Sequence, residues 1–138
     1  MVHEALRGTL CEPVHGEWSQ FVDAAAEAKN ILYLTDNAGE IAVDRLVIEV
    51  LGPERVTVAV RGAPVLNDAT VVDAREVGMY ELTQVIDNGS DAPGTLLGDC
   101  SSEFRQHFDR ADLIIAKGQG NYESLSDTGI NIALWFKV

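Results

Sequence analysis

The chain has 138 residues, which is enough for one domain with a hydrophobic core and too few for two. Hydrophobic residues make up 46% of the sequence and charged residues 23%, a composition that argues against disorder. Lys and Arg number 10 against 22 Asp and Glu, and the net charge of -12 argues against nucleic acid or an anionic membrane surface as a partner.

The sequence carries no signal for a membrane span or for a disulfide framework. No apolar run approaches the roughly 20 residues that cross a bilayer, and the N-terminus lacks a basic region followed by an apolar stretch. Cys11 and Cys100 lie far apart and form no C-x-x-C pattern. We therefore expect a cytoplasmic protein with idle or buried thiols.

The first third of the chain predicts a helix, a strand and a second helix. Residues 1–15 show no periodicity and are predicted to form a loose arm. Apolar residues at helical spacing predict a helix from Trp18 to Ala28, and the apolar run Ile31–Thr35 predicts a buried parallel strand. The next helical pattern begins near Ile41 and ends at Gly52-Pro53, because proline disfavours a helical residue before it.

The same alternation of strands and helices continues to the C-terminus. Further strands are predicted at Arg55–Val60, Thr83–Asp87, Asp112–Ala116 and Ile130–Val138, and helices at Ala69–Val77, at Ser101–Arg110 and from about Asn121. Ser101 or Ser102 could cap its helix. The alternation predicts one α/β domain over residues 1–138, a three-layer α-β-α sandwich with a doubly wound, mostly parallel, Rossmann-like sheet.

Polar residues follow four of the five predicted strands. In an open parallel sheet the binding crevice lies beyond the carboxyl ends of the strands, so these residues are candidates for a ligand site. The residues that this rule selects are Asp36, Asn37, Glu40, Arg61, Asn67, Asp68, Asn88, Ser90, Lys117 and Asn121.

Three of these residues, Asp36, Asn37 and Asp68, have the oxygen donors that a hard divalent cation prefers. A local alternative is that Asp36-Asn37 and Asn67-Asp68 only cap the helices that follow them. Two acidic turns at one edge of a sheet repel each other unless a cation lies between them, however, and this favours a metal site.

A glycine-rich turn, Lys117-Gly118-Gln119-Gly120-Asn121, follows the fourth strand. Its backbone amides and the lysine ammonium could hold a phosphate at the start of a helix, although a turn without a ligand would have the same pattern. The turn matches neither the nucleoside triphosphate nor the dinucleotide pattern, so ATP and NAD are not predicted.

Four motifs together resemble those of the damage-control phosphatases, a family long catalogued as a domain of unknown function. The motifs are Asp36-Asn37-Ala38-Gly39-Glu40, Arg61-Gly62-Ala63-Pro64-Val65-Leu66-Asn67-Asp68-Ala69-Thr70, Asp87-Asn88-Gly89-Ser90, and the stretch from Ala111 to Asn121. They keep their order, and the resemblance runs from about Trp18 to Val138.

The resemblance implies a metal-dependent phosphatase that acts on sugar phosphates, phosphopantetheine derivatives or damaged phosphorylated metabolites. It implies Mg²⁺, Mn²⁺, Co²⁺ or Ni²⁺ as cofactor, with Asp36, Asn37 and Asp68 as the metal ligands and Lys117 as the lysine that contacts phosphate. Asp36 and Lys117 are thus the predicted catalytic residues. The predicted substrate-binding residues are Glu40, Arg61, Asn67, Asn88, Gly118 and Asn121.

The sequence departs from most members of this family in three ways. Relatives commonly have lysine at the position of Arg61, and most place a helical cap region before the α/β core, which we expect to be absent here. Relatives also often continue past the final strand, so we expect a short or truncated member of the family. Two alternatives remain open: a carboxyl methyltransferase that uses S-adenosylmethionine, and a non-catalytic module that binds metal or phosphate. The final strand, if exposed, could pair with a second copy of the chain.

Overall fold

Strands and helices alternate along the chain in the computed structural model, which describes residues 18–62, 67–90, 92, 94–125 and 132–135. The predicted arm, residues 1–15, lies outside this part of the chain. The strands are β1 (Ile31–Leu34), β2 (Val56–Val60), β3 (Gln84–Asp87), β4 (Leu113–Lys117) and β5 (Ile132–Trp135). The helices are α1 (Trp18–Glu27), α2 (Ile41–Leu51), α3 (Val71–Glu76), α4 (Met79–Leu82), α5 (Ser102–Arg110) and α6 (Gln119–Leu125). Over the described residues, none of these helices is long and apolar enough to cross a membrane.

The five strands form one parallel sheet in the order β3-β2-β1-β4-β5. The chain starts at the central strand, builds outward through β2 and β3, and then returns to the other side of β1 for β4 and β5. This is the strand order of a doubly wound, Rossmann-like sheet, so the predicted fold class is confirmed. The order reverses between β1 and β4, and a ligand crevice is expected beyond the carboxyl ends of these two strands.

Apolar side chains pack on both faces of the sheet and produce the three predicted layers. Ile31 and Tyr33 belong to a core cluster that includes residues from α1 to α4, while Leu32 and Leu34 belong to a second cluster with Phe104 of α5. Successive side chains of a strand point to opposite faces. This explains why β1 is apolar and buried at every position.

Two predicted helix boundaries are confirmed by hydrogen bonds to main-chain groups. At the end of α2, Gly52 has a φ of 104° and donates its N–H to the carbonyl of Ile48 at 3.0 Å. At the start of α5, the hydroxyl of Ser101 accepts from the N–H of Phe104 at 3.1 Å. The sequence did not predict α4, which buries Met79, because a single turn is too short to show a helical period.

The interpretation of Asp68 as the cap of the next helix is wrong. Thr70 is the N-cap of α3, and it forms a capping box in which its main-chain N–H donates to Asp73 at 2.9 Å. Asp68 precedes this cap by two residues, and its carboxylate accepts from Arg61 instead. The Asp68 side chain therefore does not cap α3.

The start of β1 is tied to the start of β4 by Asp112. Its Oδ2 accepts from the main-chain N–H groups of Lys29 at 2.8 Å and Asn30 at 2.9 Å, and these bonds lower the pKa of Asp112. A carboxylate with a lowered pKa in the folded state stabilises the fold above its unfolded pKa. This contribution is lost as the pH falls through the folded pKa.

We therefore expect Asp112→Asn to lower the Tm at neutral pH and to differ less from the wild type as the solution becomes acidic. Thermal melts of both proteins from neutral to acidic pH test this, with Asp109→Asn on the exposed side of α5 as the control. A Tm difference that is the same at every pH would contradict the assigned role of the Asp112 charge.

Candidate active site

The carboxyl ends of β1, β2 and β4 lie level with one another, because Leu34 is paired with both Ala59 and Ala116. The residues that follow these three strands therefore meet at one edge of the sheet. They include Asp36 after β1 and Arg61 after β2, while Lys117 is the last residue of β4. The sequence prediction that these residues meet at one edge of the sheet agrees with this arrangement.

The two acidic segments, residues 36–38 and 67–69, lie side by side. Asn37 and Asp68 form an isolated antiparallel bridge, the N–H of Ala38 donates to the carbonyl of Asn67 at 2.7 Å, and that of Ala69 donates to the carbonyl of Asp36 at 2.8 Å. Asn37 precedes a 3₁₀ turn at Ala38–Glu40 but makes no side-chain capping bond. The local capping alternative for Asp36-Asn37 therefore has no support in these contacts.

The Asp36 carboxylate packs against the backbone of Gly118, across the point where the strand order reverses. A Cβ atom at Gly118 would overlap this carboxylate, and the φ of Gly118 is 90°, a region that favours glycine. Among the described residues, the carboxylate accepts one side-chain hydrogen bond, from Nδ2 of Asn37 at 3.3 Å. Glycine at position 118 thus makes room for a carboxylate that donors in the described part of the chain leave largely unsatisfied.

The surroundings of Asp36 disfavour its negative charge. Burial raises the pKa of Asp36, and the nearby carboxylates of Asp68 and Glu40 raise it further, while Arg61 and Lys117 act in the opposite direction. A bound cation would relieve both the desolvation and the repulsion. Asp36 and Asp68 therefore lie close enough to interact, as a shared metal ion requires.

The donor set at this edge suits a hard divalent cation. Magnesium is commonly held by one or two carboxylates together with waters and substrate oxygens, and Asp36, Asn37 and Asp68 offer two carboxylates and one amide oxygen. Among the described residues there is no group of three His, Cys, Asp or Glu side chains placed to hold a metal ion. A set rich in thiolate or imidazole, as zinc prefers, is therefore absent from this part of the chain.

Arg61 is buried and holds Asp68 in place. Its Nε donates to Oδ2 of Asp68 at 2.7 Å, with 4% of the arginine side chain and 14% of the aspartate side chain exposed. Among the residues that the structure describes, no side-chain donor contacts the second oxygen of Asp68, so this oxygen could bind a ligand. Arg61 therefore orients a candidate metal ligand, and its predicted contact with a substrate stays a prediction.

Lys117 lies between two carboxylates. Its Nζ donates to Oε2 of Glu40 and to Oδ1 of Asp44, at 2.9 Å in each case. Burial by itself lowers the pKa of Lys117, but Asp44 and Glu40 outweigh that effect and the pKa is raised. The ammonium group therefore keeps its positive charge at this edge of the sheet.

Two residues that were not predicted from the sequence, Asp44 and Tyr33, hold Lys117 from the interior of the domain: Asp44 contacts Lys117, and Tyr33 contacts Asp44. Asp44 is completely buried on α2, and its Oδ1 also accepts from the Tyr33 hydroxyl at 2.6 Å. Burial raises the pKa of Asp44, while Lys117 and the Tyr33 hydrogen bond act against this rise. The available signal was the position of Asp44 three residues after Ile41, on the apolar side of a predicted helix.

Two of the predicted substrate-binding residues, Asn88 and Asn121, have buried side chains that bond to neighbouring loops. Oδ1 of Asn88 accepts from the N–H groups of Gly62 at 3.1 Å and Ser90 at 3.0 Å. Nδ2 of Asn121 donates to the carbonyl of Lys117 at 2.7 Å. These contacts shape the loops around the crevice, whereas the predicted substrate contacts of both residues stay predictions.

The remaining predicted substrate-binding residues lie beside the candidate ligands. Glu40 contacts Lys117, Gly118 contacts Asp36, and Asn67 has an exposed side chain next to Asp68. Residues 63–66, in the middle of the second motif, lie outside the described part of the chain.

Comparisons with known proteins agree with these motifs. A family model described as the damage-control phosphatase ARMT1-like domain matches residues 4–132. An uncharacterized protein of Methanocaldococcus jannaschii is 50% identical over 101 residues, which is 72% of this chain and 33% of that protein. A damage-control phosphatase of Pyrococcus horikoshii is 41% identical over 111 residues, which is 78% of this chain and 39% of that protein.

A solved structure is also similar. The crystal structure of a DUF89 family protein from Pyrococcus horikoshii superposes with a TM-score of 0.85 at 37% sequence identity, over 91% of this chain and 46% of that one. The chain therefore spans less than half the length of each of these relatives, between 33% and 46%.

Proposed function

The chain belongs to the ARMT1-like damage-control phosphatase family, and from this premise we propose that it is a metal-dependent phosphatase that hydrolyses phosphate esters of small metabolites. Sugar phosphates and phosphopantetheine-like compounds are the substrate classes that we favour. The observation that carries the proposal is the Asp36 carboxylate. It is partly desolvated at the carboxyl edge of the sheet, and it interacts electrostatically with Asp68 and with the Lys117 ammonium.

Asp36, Asn37 and Asp68 would hold the metal ion, and Mg²⁺, Mn²⁺, Co²⁺ and Ni²⁺ are the candidates. When bound, such an ion polarises a phosphoryl oxygen and offsets its negative charge. The raised pKa of Asp36, whose first cause is burial, supports this assignment because a cation would stabilise the ionised carboxylate. Arg61 contributes by fixing the orientation of Asp68 through its Nε.

The other residues of the site bind and orient the phosphate group. Lys117 is protonated and held by two carboxylates, so its ammonium is a preorganised positive charge for the oxygens of the transferring phosphoryl group. Water is the acceptor in the proposed reaction. We assign Asp36 the role of a ligand rather than of a nucleophile, because Asn37 and Asp68 lie beside it as further oxygen donors.

An ester panel tests the proposal. The protein is stripped with a chelator and assayed with p-nitrophenyl phosphate, sugar phosphates and phosphopantetheine, each with one of the four metals. We expect hydrolysis that requires added metal and stops again on chelation. Metal and phosphate binding without turnover would indicate the non-catalytic alternative, and a shift of the Tm by S-adenosylmethionine but not by metals would indicate the methyltransferase.

Gly118→Ala is expected to reduce hydrolysis of p-nitrophenyl phosphate about 10- to 100-fold, because the new Cβ must push the Asp36 carboxylate aside. The Tm should also fall, since alanine is strained at a φ of 90°. Gly98→Ala is the matched control, because nothing lies within 4 Å of the position of its Cβ. Equal activities of the two variants would show that Gly118 does not set the position of Asp36.

A further inference from the structure

The two carboxylates that hold Lys117 differ greatly in their access to water. Both accept from Nζ at 2.9 Å, yet 1% of the Asp44 side chain is exposed and 46% of the Glu40 side chain is exposed. Lys117 thus has one partner in the interior, Asp44, and one at the surface, Glu40, at the same distance. Breaking the contact with Asp44 has a different consequence from breaking the contact with Glu40.

Asp44 is a fixed partner of Lys117. Its Oδ1 accepts from Tyr33 as well as from Lys117, and its Oδ2 is buried with no hydrogen-bond partner among the described residues. Removing the ammonium would leave a carboxylate in the interior without its counter-ion, which is strongly unfavourable. Asp44 cannot turn to solvent without leaving the apolar side of α2.

Glu40 is an exchangeable partner. It lies in the 3₁₀ turn Ala38–Glu40, and its carboxylate can leave Lys117 for water by rotating its own side chain. Ion pairs with an exposed member contribute little to stability, because water competes for both charges. A phosphate group offers the ammonium up to two negative charges and several oxygens, so it competes well for the same donor.

We propose that Glu40 is a displaceable counter-ion: an incoming phosphate group replaces its carboxylate on Lys117, while Asp44 keeps the ammonium in position. This inference rests on the proposed function, because it assigns phosphate to the same lysine. After the reaction, Glu40 returns to Lys117 and helps to expel inorganic phosphate. Glu40 thus weakens phosphate binding and favours product release.

The test is calorimetric titration of inorganic phosphate into the whole protein, with the divalent ion saturating for each variant. Glu40→Gln should lower the Kd for phosphate about three- to fivefold, because a neutral amide competes less well for the ammonium. Glu49→Gln is the matched control. It removes one charge from α2, where Glu49 pairs with Arg45 at the surface, and it should leave the Kd unchanged.

The opposite result is expected for the fixed partner. Asp44→Asn should raise the Kd for phosphate at least about tenfold, because Lys117 loses the charge that positions it. If Asp44→Asn does not fold, Tyr33→Phe replaces it in the experiment and should also raise the Kd for phosphate, because Tyr33 donates to Asp44. An unchanged or higher Kd in Glu40→Gln would overturn the proposal, and so would a lower Kd in Asp44→Asn.

These outcomes separate this inference from the proposed function. Tighter phosphate binding by Glu40→Gln in a protein that hydrolyses no ester would support the displaceable counter-ion and contradict the phosphatase. Metal-dependent hydrolysis by a protein whose Glu40→Gln variant binds phosphate no more tightly would contradict the displaceable counter-ion alone.

Discussion

Asp36→Ala is expected to reduce the kcat/KM for metal-dependent hydrolysis of p-nitrophenyl phosphate about 1000-fold or more, because it removes the central ligand of the proposed metal site. The substitution should not lower the stability of the fold. Burial and the neighbouring carboxylates raise the pKa of Asp36, so its ionised form opposes folding at neutral pH when no metal is bound. The Tm of metal-free Asp36→Ala should therefore equal or exceed that of the wild type.

The decisive measurement combines activity with metal-induced stabilisation. Added Mn²⁺ or Mg²⁺ should raise the Tm of the wild type and leave that of Asp36→Ala unchanged, because only a ligand that binds the native state stabilises it. Asp109→Ala, an exposed aspartate on α5, is the control and should behave as the wild type in both assays. Activity retained by Asp36→Ala would remove Asp36 from the mechanism.

Lys117→Met should lose about 2 to 4 kcal/mol of transition-state stabilisation, a fall of roughly 30- to 1000-fold in kcat. Methionine fills a similar volume without the ammonium that, in the proposed mechanism, stabilises the phosphoryl oxygens. This variant should also have a lower Tm, since the buried Asp44 carboxylate loses its counter-ion. Lys29→Met, at an exposed lysine beyond α1, is the matched control for the loss of a positive charge.

A second variant separates the expected effect of Lys117 on kcat from its expected effect on the Tm. Adding Asp44→Asn to Lys117→Met removes the unpaired charge, so the double variant should regain part of the lost Tm. It should not regain activity, because the ammonium is still missing. Activity that returned together with the Tm would mean that Lys117 acts only through stability.

The convergence of Asp36 with Asp68 was predictable from the sequence. Each follows a predicted parallel strand, and the carboxyl ends of parallel strands lie at one edge of a sheet. The pairing of Arg61 with Asp68 was not predictable in the same way. Arg61 was selected for its place after β2 and was assigned to substrate, whereas its side chain turns inward to a residue seven positions along the chain.

Asp44 shows why a rule based on strand ends is incomplete. Its position on a helix excluded it from the candidates, yet it contacts Lys117 from the interior, 73 residues away in the chain. Asn121 was selected by this rule. Its buried side-chain amide bonds to the carbonyl of Lys117, a contact that the rule did not predict, and its contact with a substrate stays a prediction.

The sequence by itself determined the local elements, the α/β class and the edge of the sheet at which the candidate site residues meet. Apolar periodicity, helix caps and glycine-proline boundaries reflect interactions among residues a few positions apart, and a pattern read along the chain records them directly. Only the tertiary structure decided the partners: Gly118 against Asp36, Arg61 with Asp68, and Lys117 between Asp44 and Glu40. The physical reason is the strand order β3-β2-β1-β4-β5, which places the ends of β1 and β4 side by side although more than 70 residues separate Glu40 and Asp44 from Lys117.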